Sequence, residues 1–323
     1  MTTRRQVLIA SALAAVTVRH AYAQARLPRV GVFSGLPLDK SVAAPLLLNA
    51  LAELGYRDGA GMTLEYVHSD LIDRYPALAR ELIARRCDVI FALGSEQIAR
   101  ALLDARTATP VIFSAHAYDP LERGIVDNLR RPSGNITGVY VGMAPLTAKR
   151  LELAQEVLPQ ARRFLVLSDP HSPDQLAALR KIAEARRVAL TVVEYSQSGY
   201  DLIAAFETGR REKVDGVIVF ASPEFAARRK ELSTLVAKYR QPLFTSTFMA
   251  SEPGILVSYD QDLAKMYQRG AAMGIRILKG TKPADIPVEQ ADAYQLVVNL
   301  KTAKTLGIKI PPSVIARATK VIE

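Results

Sequence analysis

Short runs of β-branched and other apolar residues alternate along this chain with longer amphipathic stretches. The runs have the length and composition of strands that are buried on both faces. The predicted strands are Arg29–Phe33, Met62–Val67, Asp88–Leu93, Pro110–Ser114, Asn135–Tyr140, Phe164–Ser168, Leu190–Glu194, Gly216–Phe220, Gln241–Phe244 and Ile255–Ser258.

The stretches between the strands carry apolar residues at helical spacing. One apolar face consists of Tyr75, Leu78, Ala79, Leu82 and Ile83. Residues 232–239 and 263–278 contain two more faces, and the glycines and alanines of the last one allow close packing. Strands that alternate with helices of this length predict an α/β fold with parallel sheets covered by helices on both faces.

The alternation of strands and helices runs through the chain twice, once over about 29–114 and again over about 164–244. Between the two sets, Arg131–Asn135 is a loop-forming cluster that predicts a crossover. Two open α/β lobes in tandem would place a cleft between the carboxyl ends of their sheets. Open α/β sheets bind their ligands at this position.

Residues 1–23 have the organisation of a secretory signal peptide. Arg4 and Arg5 precede an apolar run from Val7 to Val18, and Ala21-Tyr22-Ala23 places small residues where a signal peptidase reads them. The run is shorter than the about 20 residues that span a bilayer. We expect cleavage near Ala23 and a soluble product in the periplasm, or secreted where there is no outer membrane. The alternative is a frayed cytoplasmic N-terminus.

The leader leaves its export route open. Thr3–Leu8 resembles a twin-arginine signal, but paired arginines also occur in leaders of the general route. Cys87 is the only cysteine, so no lipid anchor is expected near the cleavage site and an intramolecular disulfide is excluded. No second apolar segment is long enough to predict a membrane span.

The formal charge of the chain is +10, which suits an acidic partner or simply a solvated surface. Basic residues are scattered over predicted helix faces, as at Arg80, Arg186 and Arg228. No segment interleaves them with aromatic residues as a stacking platform for nucleic acid requires. We interpret the charge as solvated surface and expect no nucleic acid among the partners.

Motifs for nucleotide binding and nucleophilic catalysis are missing from the sequence. Gly31–Gly35 follows a strand without the G-x-G-x-x-G spacing, and neither a P-loop nor a G-x-S-x-G elbow occurs. The histidines His20, His68, His116 and His171 do not pair at i+3 or i+4, so they form no local zinc motif. The sequence predicts no catalytic residue, no metal and no cofactor.

Small polar residues follow several predicted strands at the ends where the cleft would lie. The candidate ligand-binding residues of this kind are Ser34, Gly35, Gly94, Ser95, Ser114, His116 and Ser222. A helix that begins at such a strand end presents free N–H groups, which bind carboxylates. Ser95 and Ser222 are also good helix N-caps, and that role alone would explain them.

Tyr118 and Tyr140 complete the candidate ligand-binding set. Both lie in loops or at strand ends, where their rings can cover a solute. Phe33, Phe113 and Phe220, which lie near the same loops, are more typical of core. Tyr118-Asp119-Pro120 is also a turn signal, so Asp119 alternatively fixes the loop.

Four segments are more distinctive than the rest of the chain. They are Val111–Ser114 with Asp119-Pro120, Leu129–Gly138, Ile277–Glu289 and Val297–Pro312. Together they resemble the tryptophan/tyrosine-type ABC-transporter substrate-binding proteins, a branch of the type I periplasmic binding proteins. The resemblance extends over nearly all of the chain after the leader.

The resemblance implies two Rossmann-like lobes joined by a three-stranded hinge. Lobe one would comprise 24–138 and 260–284, and lobe two 139–259 and 285–323. It also implies that a small solute is captured and delivered to an ABC permease in the inner membrane. The chain departs from the pattern at Ala115–Tyr118, where relatives carry smaller residues before Asp-Pro, so an aromatic amino acid is not assumed.

We therefore expect the periplasmic solute-binding component of an ABC importer. Hinge closure would bury a small polar solute that is amino-acid-like or otherwise carries a carboxylate. The alternatives are a periplasmic ligand-sensing module for a receptor kinase and a secreted α/β enzyme. We expect a monomer or a weak dimer.

Overall fold

The computed structural model describes residues 26–116, 118–170, 172–194, 201–221, 225, 228–246, 250 and 252–323. The predicted leader and Ser222 lie outside these residues. The described strands are β1 (Arg29–Ser34), β2 (Arg57–Asp58), β3 (Gly61–His68), β4 (Val89–Gly94), β5 (Val111–Ala115), β6 (Ile136–Tyr140), β7 (Arg163–Ser168), β8 (Ala189–Glu194), β9 (Gly216–Val219), β10 (Leu243–Thr245), β11 (Ile255–Gln261), β12 (Glu289–Gln290), β13 (Tyr294–Asn299) and β14 (Lys320–Ile322). The described α-helices are α1 (Ala43–Glu53), α2 (Tyr75–Ala84), α3 (Glu96–Asp104), α4 (Met143–Val157), α5 (Pro173–Ala185), α6 (Leu202–Arg211), α7 (Arg229–Tyr239), α8 (Leu263–Leu278), α9 (Leu300–Leu306) and α10 (Pro312–Arg317).

The first sheet has the strand order β12-β6-β5-β4-β1-β3-β2, and its neighbouring strands run parallel. From β1 the chain builds outward to β3, and it then returns to the other side of β1 for β4. The strand order therefore reverses between β1 and β4. Ligands of open α/β sheets bind at such a switch point, just beyond the carboxyl ends of the two strands.

The second sheet has the order β14-β13-β11-β10-β9-β7-β8, and its switch point lies between β7 and β9. The antiparallel pairing of β13 with β11 is an exception to the predicted parallel arrangement. Only residues 291–293 join β12 of the first sheet to β13. Because this link is so short, β13 enters the second sheet beside the carboxyl end of β11 and has to run back along it.

Each sheet is buried on both faces, because alternate side chains of its central strands enter two different apolar clusters. In β4, Val89 and Phe91 pack with α1 and α8, whereas Ile90 packs with α2 and α3 on the opposite face. In β7, Phe164 and Leu165 are separated in the same way. Full burial of one such side chain contributes about 1.5–3 kcal/mol, which explains why the strand sequences are apolar without interruption.

The apolar faces predicted from helical spacing are confirmed as the buried faces of α2, α7 and α8. In α8, Gly274 lies directly against the ring of Phe91, and a Cβ at this glycine would stand 2.5 Å from Phe91 Cζ. The predicted close packing of this helix is confirmed. A methyl group at Gly274 would force α8 away from the first sheet.

Three short connections join the two sheets: 141–142 between β6 and α4, Asp262 between β11 and α8, and 291–293 between β12 and β13. Hydrogen bonds hold them side by side. The Asp262 N–H donates to the carbonyl of Ala293 at 2.8 Å, and the Ala291 N–H donates to the carbonyl of Tyr140 at 2.9 Å. These connections form the three-stranded hinge that the resemblance implies.

Sheet membership corrects the predicted lobe boundaries at three places. Residues 139–140 complete β6, and Glu289–Gln290 pair with β6, so both belong to the first sheet. Residues 260–261 complete β11 and belong to the second sheet. Each predicted boundary falls before the actual change of sheet, because the strand concerned stays paired until its connection begins. The rest of the lobe division stays a prediction.

Candidate functional site

The carboxyl ends of the two sheets lie at the side of the molecule where the connections run. The first connection leaves the carboxyl end of β6 and starts α4, and Asp262 leaves the carboxyl end of β11 and starts α8. Helices of parallel α/β units begin at the carboxyl ends of the strands, so both sheets direct these ends toward the hinge. Ala221, which follows β9 of the second sheet, packs against an apolar cluster formed mainly by the first lobe. The carboxyl ends of the two sheets therefore meet.

The first switch point carries four of the predicted site residues. Ser34 ends β1 and Gly35 follows it, and Gly94 ends β4, the neighbouring strand, and is followed by Ser95. Ser34 is buried, whereas Ser95 is exposed. The fold therefore brings together two pairs of residues that are about 60 positions apart in the sequence.

Tyr75 joins the two loops of the first switch point. Its hydroxyl lies close enough to the side chain of Ser95 for that side chain to affect its pKa, and a Cβ on Gly35 would stand 3.2 Å from the hydroxyl oxygen. The Tyr75 ring is buried edge-to-face against Phe33 with 5.3 Å between the ring centroids. Burial raises the pKa of Tyr75, the Ser95 hydrogen bond opposes this rise and the charge of Asp70 adds to it. The phenol is therefore neutral and available as a hydrogen-bonding group.

Ser95 occupies the N-cap position of α3 with an extended backbone, φ −80° and ψ 148°. Its hydroxyl makes no cap hydrogen bond to the helix. The N-cap role therefore does not by itself explain Ser95. The N–H groups of the first turn of α3 and the positive end of its dipole lie at this position, an arrangement that suits a carboxylate.

Tyr66 fixes the loop that follows β1. Its hydroxyl donates to the carbonyl of Leu36 at 2.7 Å, and the Ser34 hydroxyl accepts from the N–H of Leu36 at 3.2 Å. The Ser41 hydroxyl accepts from the N–H of Ala44 at 3.0 Å at the start of α1. Ser34 and this loop are therefore held in place by β3 and α1.

His116 and Ser114 lie further along the same edge of the first sheet, against α8. His116 Nε2 is 2.7 Å from the hydroxyl of Tyr267, which is fully buried. Burial lowers the pKa of His116 to about 4, so the imidazole is neutral at pH 7. The buried hydroxyl of Ser114 finds no hydrogen-bond partner among the described residues. A Cβ on Gly270 of α8 would stand 3.9 Å from this hydroxyl.

Tyr118 and Tyr140 are both buried in the apolar cluster on the opposite face of the first sheet. Burial raises the pKa of Tyr118, as does the charge of Glu96. The Tyr140 hydroxyl donates to Gln290 Oε1 over 3.5 Å, beside the third connection. The Asp119 carboxylate accepts the backbone N–H groups of Leu121 and Glu122, so the expectation that Asp119 fixes the loop is confirmed.

The second switch point lies between the end of β7, at Ser168 and Asp169, and Ala221 after β9. The buried Asp169 carboxylate accepts a hydrogen bond from the Ser172 hydroxyl at 3.0 Å, at the start of α5. Asp169 lines a cavity of about 470 Å³. Among its other lining residues are Pro170, Ser172, Leu176, Arg180 and Glu194. Ser222, the one predicted site residue of this lobe, lies outside the described residues.

The described part of the site offers hydrogen-bonding groups and the start of a helix. Within the described ranges, no group of three or more His, Cys, Asp or Glu side chains is placed to hold a metal ion. In the same part of the chain, no helix is long and apolar enough to cross a membrane. The geometry fits reversible binding of a small polar molecule.

Sequence reasoning did not select Tyr66, Tyr75 or Asp169, although all three shape the switch points. Tyr75 stands on a regular apolar helix face, where a core role explains it. Its hydroxyl is the signal that could have been used, because a buried tyrosine needs a hydrogen-bond partner. Asp169 directly follows a predicted strand and could have been selected by the rule that selected Ser34.

The chain matches the family model described as ABC transporter substrate binding protein over residues 38–322. Among curated proteins, a tyrosine-binding protein from Clostridioides difficile (strain R20291) is 24% identical over 278 residues. This match covers 84% of the present chain and 78% of that protein.

Two solved structures have the same architecture. A conserved domain protein from Vibrio cholerae gives a TM-score of 0.79 with 25% identity, over 92% of this chain and 100% of that one. An ABC domain from Streptococcus pneumonia in complex with L-Trp gives 0.78 with 25% identity, over 91% and 99%. The comparisons therefore agree with the two-lobed fold over nearly the whole chain.

Proposed function

This chain belongs to the family of ABC transporter substrate binding proteins, and we propose that it is the solute-binding component of an ABC importer. It captures a small solute that carries a carboxylate, such as an amino acid, between the switch points of its two lobes. It works in the periplasm after residues 1–23 have been removed, and it delivers the solute to a permease in the inner membrane.

The observation that carries this proposal is the placement of the two switch points. In each sheet the strand order reverses at one switch point, and a ligand would bind beyond the carboxyl ends of the strands there. The hinge brings the carboxyl ends of the two sheets together. At the first edge the start of α3 can receive a carboxylate beside Ser95. At the second edge the buried Asp169 directly follows β7, on one side of the switch point.

The solute class is supported by what related proteins bind. The curated relative is named a tyrosine-binding protein, and one of the solved structures contains L-Trp. Aromatic amino acids are therefore the first compounds to test. His116 and Tyr118 add bulk to the loop after β5, so smaller amino acids and other carboxylates belong in the same panel.

The binding step is a hinge closure. The three connections are short, and each lobe has its own apolar clusters, so the lobes can rotate as bodies about residues 141–142, Asp262 and 291–293. A solute favours the closed form only to the extent that it binds this form more tightly than the open one. Ser34, Gly35, Gly94, Ser95 and Ser114 would provide contacts from the first lobe, with Tyr140 beside the hinge and Ser222 on the second lobe.

A thermal-shift panel on residues 24–323 tests the proposed function. It contains amino acids, amides, aromatic acids, dicarboxylates and purines. A ligand at 100 times its Kd adds about 2.7 kcal/mol to the free energy of unfolding, which raises Tm by several degrees. A saturable shift with one chemical class supports solute capture. A flat panel on protein free of co-purified solute contradicts it.

Ser95→Leu then tests the placement of the site. Ser95 is exposed, so the variant should fold, while its side chain blocks the start of α3 and abolishes the shift. Ser133→Leu is the matched control, because Ser133 is an exposed serine before β6, at the opposite end of the same sheet. Equal affinity in the Ser95 and Ser133 variants would remove the start of α3 from the site.

A further inference from the structure

A chain of buried side-chain hydrogen bonds crosses the second lobe from α4 to the second switch point. Arg150 Nη1 donates to the hydroxyl of Thr147 at 3.2 Å, and this hydroxyl shares its proton between Gln175 Oε1 at 2.8 Å and the carbonyl of Met143 at 3.1 Å. Gln175 Nε2 donates to the hydroxyl of Ser172 at 3.0 Å, which donates to Asp169 Oδ2 at 3.0 Å. None of the five residues whose side chains form these hydrogen bonds is more than 3% exposed.

The same arginine also holds the strand that leads into the second connection. Arg150 Nε donates to the carbonyl of Tyr259 at 2.9 Å, and Arg150 Nη2 lies 3.7 Å from Asp260 Oδ1. Both partners are in β11, within three residues of Asp262, where the chain passes to the first lobe. The buried guanidinium of Arg150 therefore takes part in two sets of contacts, one that leads to Asp169 at the cleft and one with β11 next to the hinge.

The hydrogen bonds toward the cleft all point the same way. In each of these four hydrogen bonds the donor is the partner nearer to Arg150 and the acceptor is the partner nearer to Asp169. The series therefore begins at a cation and ends at a carboxylate. Bonds ordered in this way polarise one another and act together in a low-dielectric interior. A displacement at one end should therefore be felt at the other.

Stability alone is a weak reason for this arrangement. Burial lowers the pKa of Arg150, which shows that the interior disfavours its charge. Buried ion pairs are often no better for stability than apolar residues of the same volume. The alternative reason is that the arginine specifies one arrangement of α4, α5 and β11, which are the three elements that its bonds connect.

We propose that Arg150 is a positioning residue that couples the cleft wall of the second lobe to the hinge. Through Thr147, Gln175 and Ser172 it fixes Asp169 at the second switch point, and through Tyr259 and Asp260 it fixes the strand that enters the connection. The link from solute to hinge rests on the proposed function, whereas the link from Asp169 to β11 is a property of the unliganded protein.

Thr147 is the point at which the hydrogen-bond chain is best broken, because removal of Arg150 itself would leave Asp260 without its cation. Thr147→Val keeps the volume and removes the hydroxyl, whereas Thr147→Ser keeps the hydroxyl. Thr137→Val is the matched control. Its buried hydroxyl donates to the carbonyl of Ile286 in the first lobe and is not part of the chain.

Hydrogen–deuterium exchange of the unliganded proteins is the first measurement. Thr147→Val should accelerate amide exchange both in 169–176 and in 255–262 by about fivefold or more, the factor that corresponds to one lost hydrogen bond. Thr147→Ser and Thr137→Val should leave both segments as in the wild type. Acceleration confined to α4 and α5, with 255–262 unchanged, would overturn the proposal.

Binding of L-tryptophan is the second measurement, with the other panel compounds as further probes. Thr147→Val should weaken it by about fivefold or more while Thr147→Ser does not. Equal affinity in all variants, with unchanged exchange at 255–262, refutes the coupling but leaves solute capture intact. If the wild type binds no probe, the proposed function fails, and exchange at both segments still decides the role of Arg150. If Thr147→Val does not fold, Gln175→Met interrupts the same chain and is measured in its place.

Discussion

Replacement of Tyr75 by phenylalanine tests whether the first switch point is organised in the way described above. The substitution removes one hydroxyl and leaves the ring in place against Phe33, where the centroids are 5.3 Å apart. Ser95 loses the polar neighbour whose hydroxyl interacts with its side chain. The loop after β1 loses the hydroxyl that lies against Gly35.

The expected loss of stability is small, because only one of the two partners is buried. A typical hydrogen bond contributes about 0.5–1.5 kcal/mol net. Ser95 is exposed, so water replaces Tyr75 as its partner, and the loss should lie at the low end of this range. For a protein of this size that corresponds to a fall in Tm of about 1–2 °C.

The expected loss of affinity is the larger effect. Without Tyr75 the Ser95 side chain samples other rotamers, and the loop at Gly35 loses a contact on the cleft side. If the site loses one positioned hydrogen bond, Kd should rise by about two- to twelvefold. The chain contains no tryptophan, so the fluorescence of bound L-tryptophan, or its displacement by another solute, reports binding without background from protein tryptophan.

Tyr239→Phe is the matched control for this prediction. Its hydroxyl is 3.3 Å from Glu207 on the outer surface of the second lobe, far from either switch point. It should lower neither Tm nor affinity appreciably. If Tyr75→Phe also binds as tightly as the wild type, Tyr75 is a core residue only, and the reasoning about Ser95 is refuted.

Three further predictions concern buried groups. Ser114→Ala should raise Tm by about 2–4 °C, because its buried hydroxyl has no partner among the described residues and costs about 1 kcal/mol; a lower Tm would show that the hydroxyl is bonded in solution. Burial lowers the pKa of His116 from 6.5 to about 4, so the unfolded chain binds this proton first as pH falls. Urea unfolding should show stability falling from about pH 6.5 toward pH 4 by at most about 1.4 kcal/mol per pH unit, and His116→Gln should reduce that slope; an unchanged slope would assign it to other groups. The Cys87 thiol is buried, and burial raises its pKa to about 11, so it should react with a thiol reagent only at the rate of unfolding, whereas rapid labelling of native protein would contradict its burial.

The alternation of apolar runs was enough to predict most strands of both sheets. The bounds of the strands were predicted less precisely, as the predicted strand Gln241–Phe244 shows. β10 begins only at Leu243, and the side chain of Gln241 donates to the carbonyl of Phe206. β12 was not predicted from alternation because it is two residues long. β13 begins only three residues after β12. Its antiparallel direction beside β11 is set by the point at which the chain leaves the first lobe.

The position of the cleft could be predicted, but the contacts within it could not. Ser34 and Ser95 were selected because they follow strands, and the fold places them at one switch point. Nothing in the local sequence of α2 shows that the Tyr75 hydroxyl reaches Ser95, because that contact depends on how α2 packs against the sheet. Arg150 stands on a helix with other charged residues, and its burial follows only from the approach of α5 and β11.

The passage of the chain through the hinge three times has a consequence for biosynthesis. The core of the first lobe needs α8, which the ribosome adds only after β7–β11 of the second lobe. At about 5–20 residues per second, β4 waits roughly ten to thirty seconds for the helix that covers Phe91. During that time one face of the first sheet stays without its cover, and the second sheet still lacks β13 and β14. Neither lobe is a contiguous folding unit, so apolar surface that can aggregate stays exposed until the last thirty residues or so have been made.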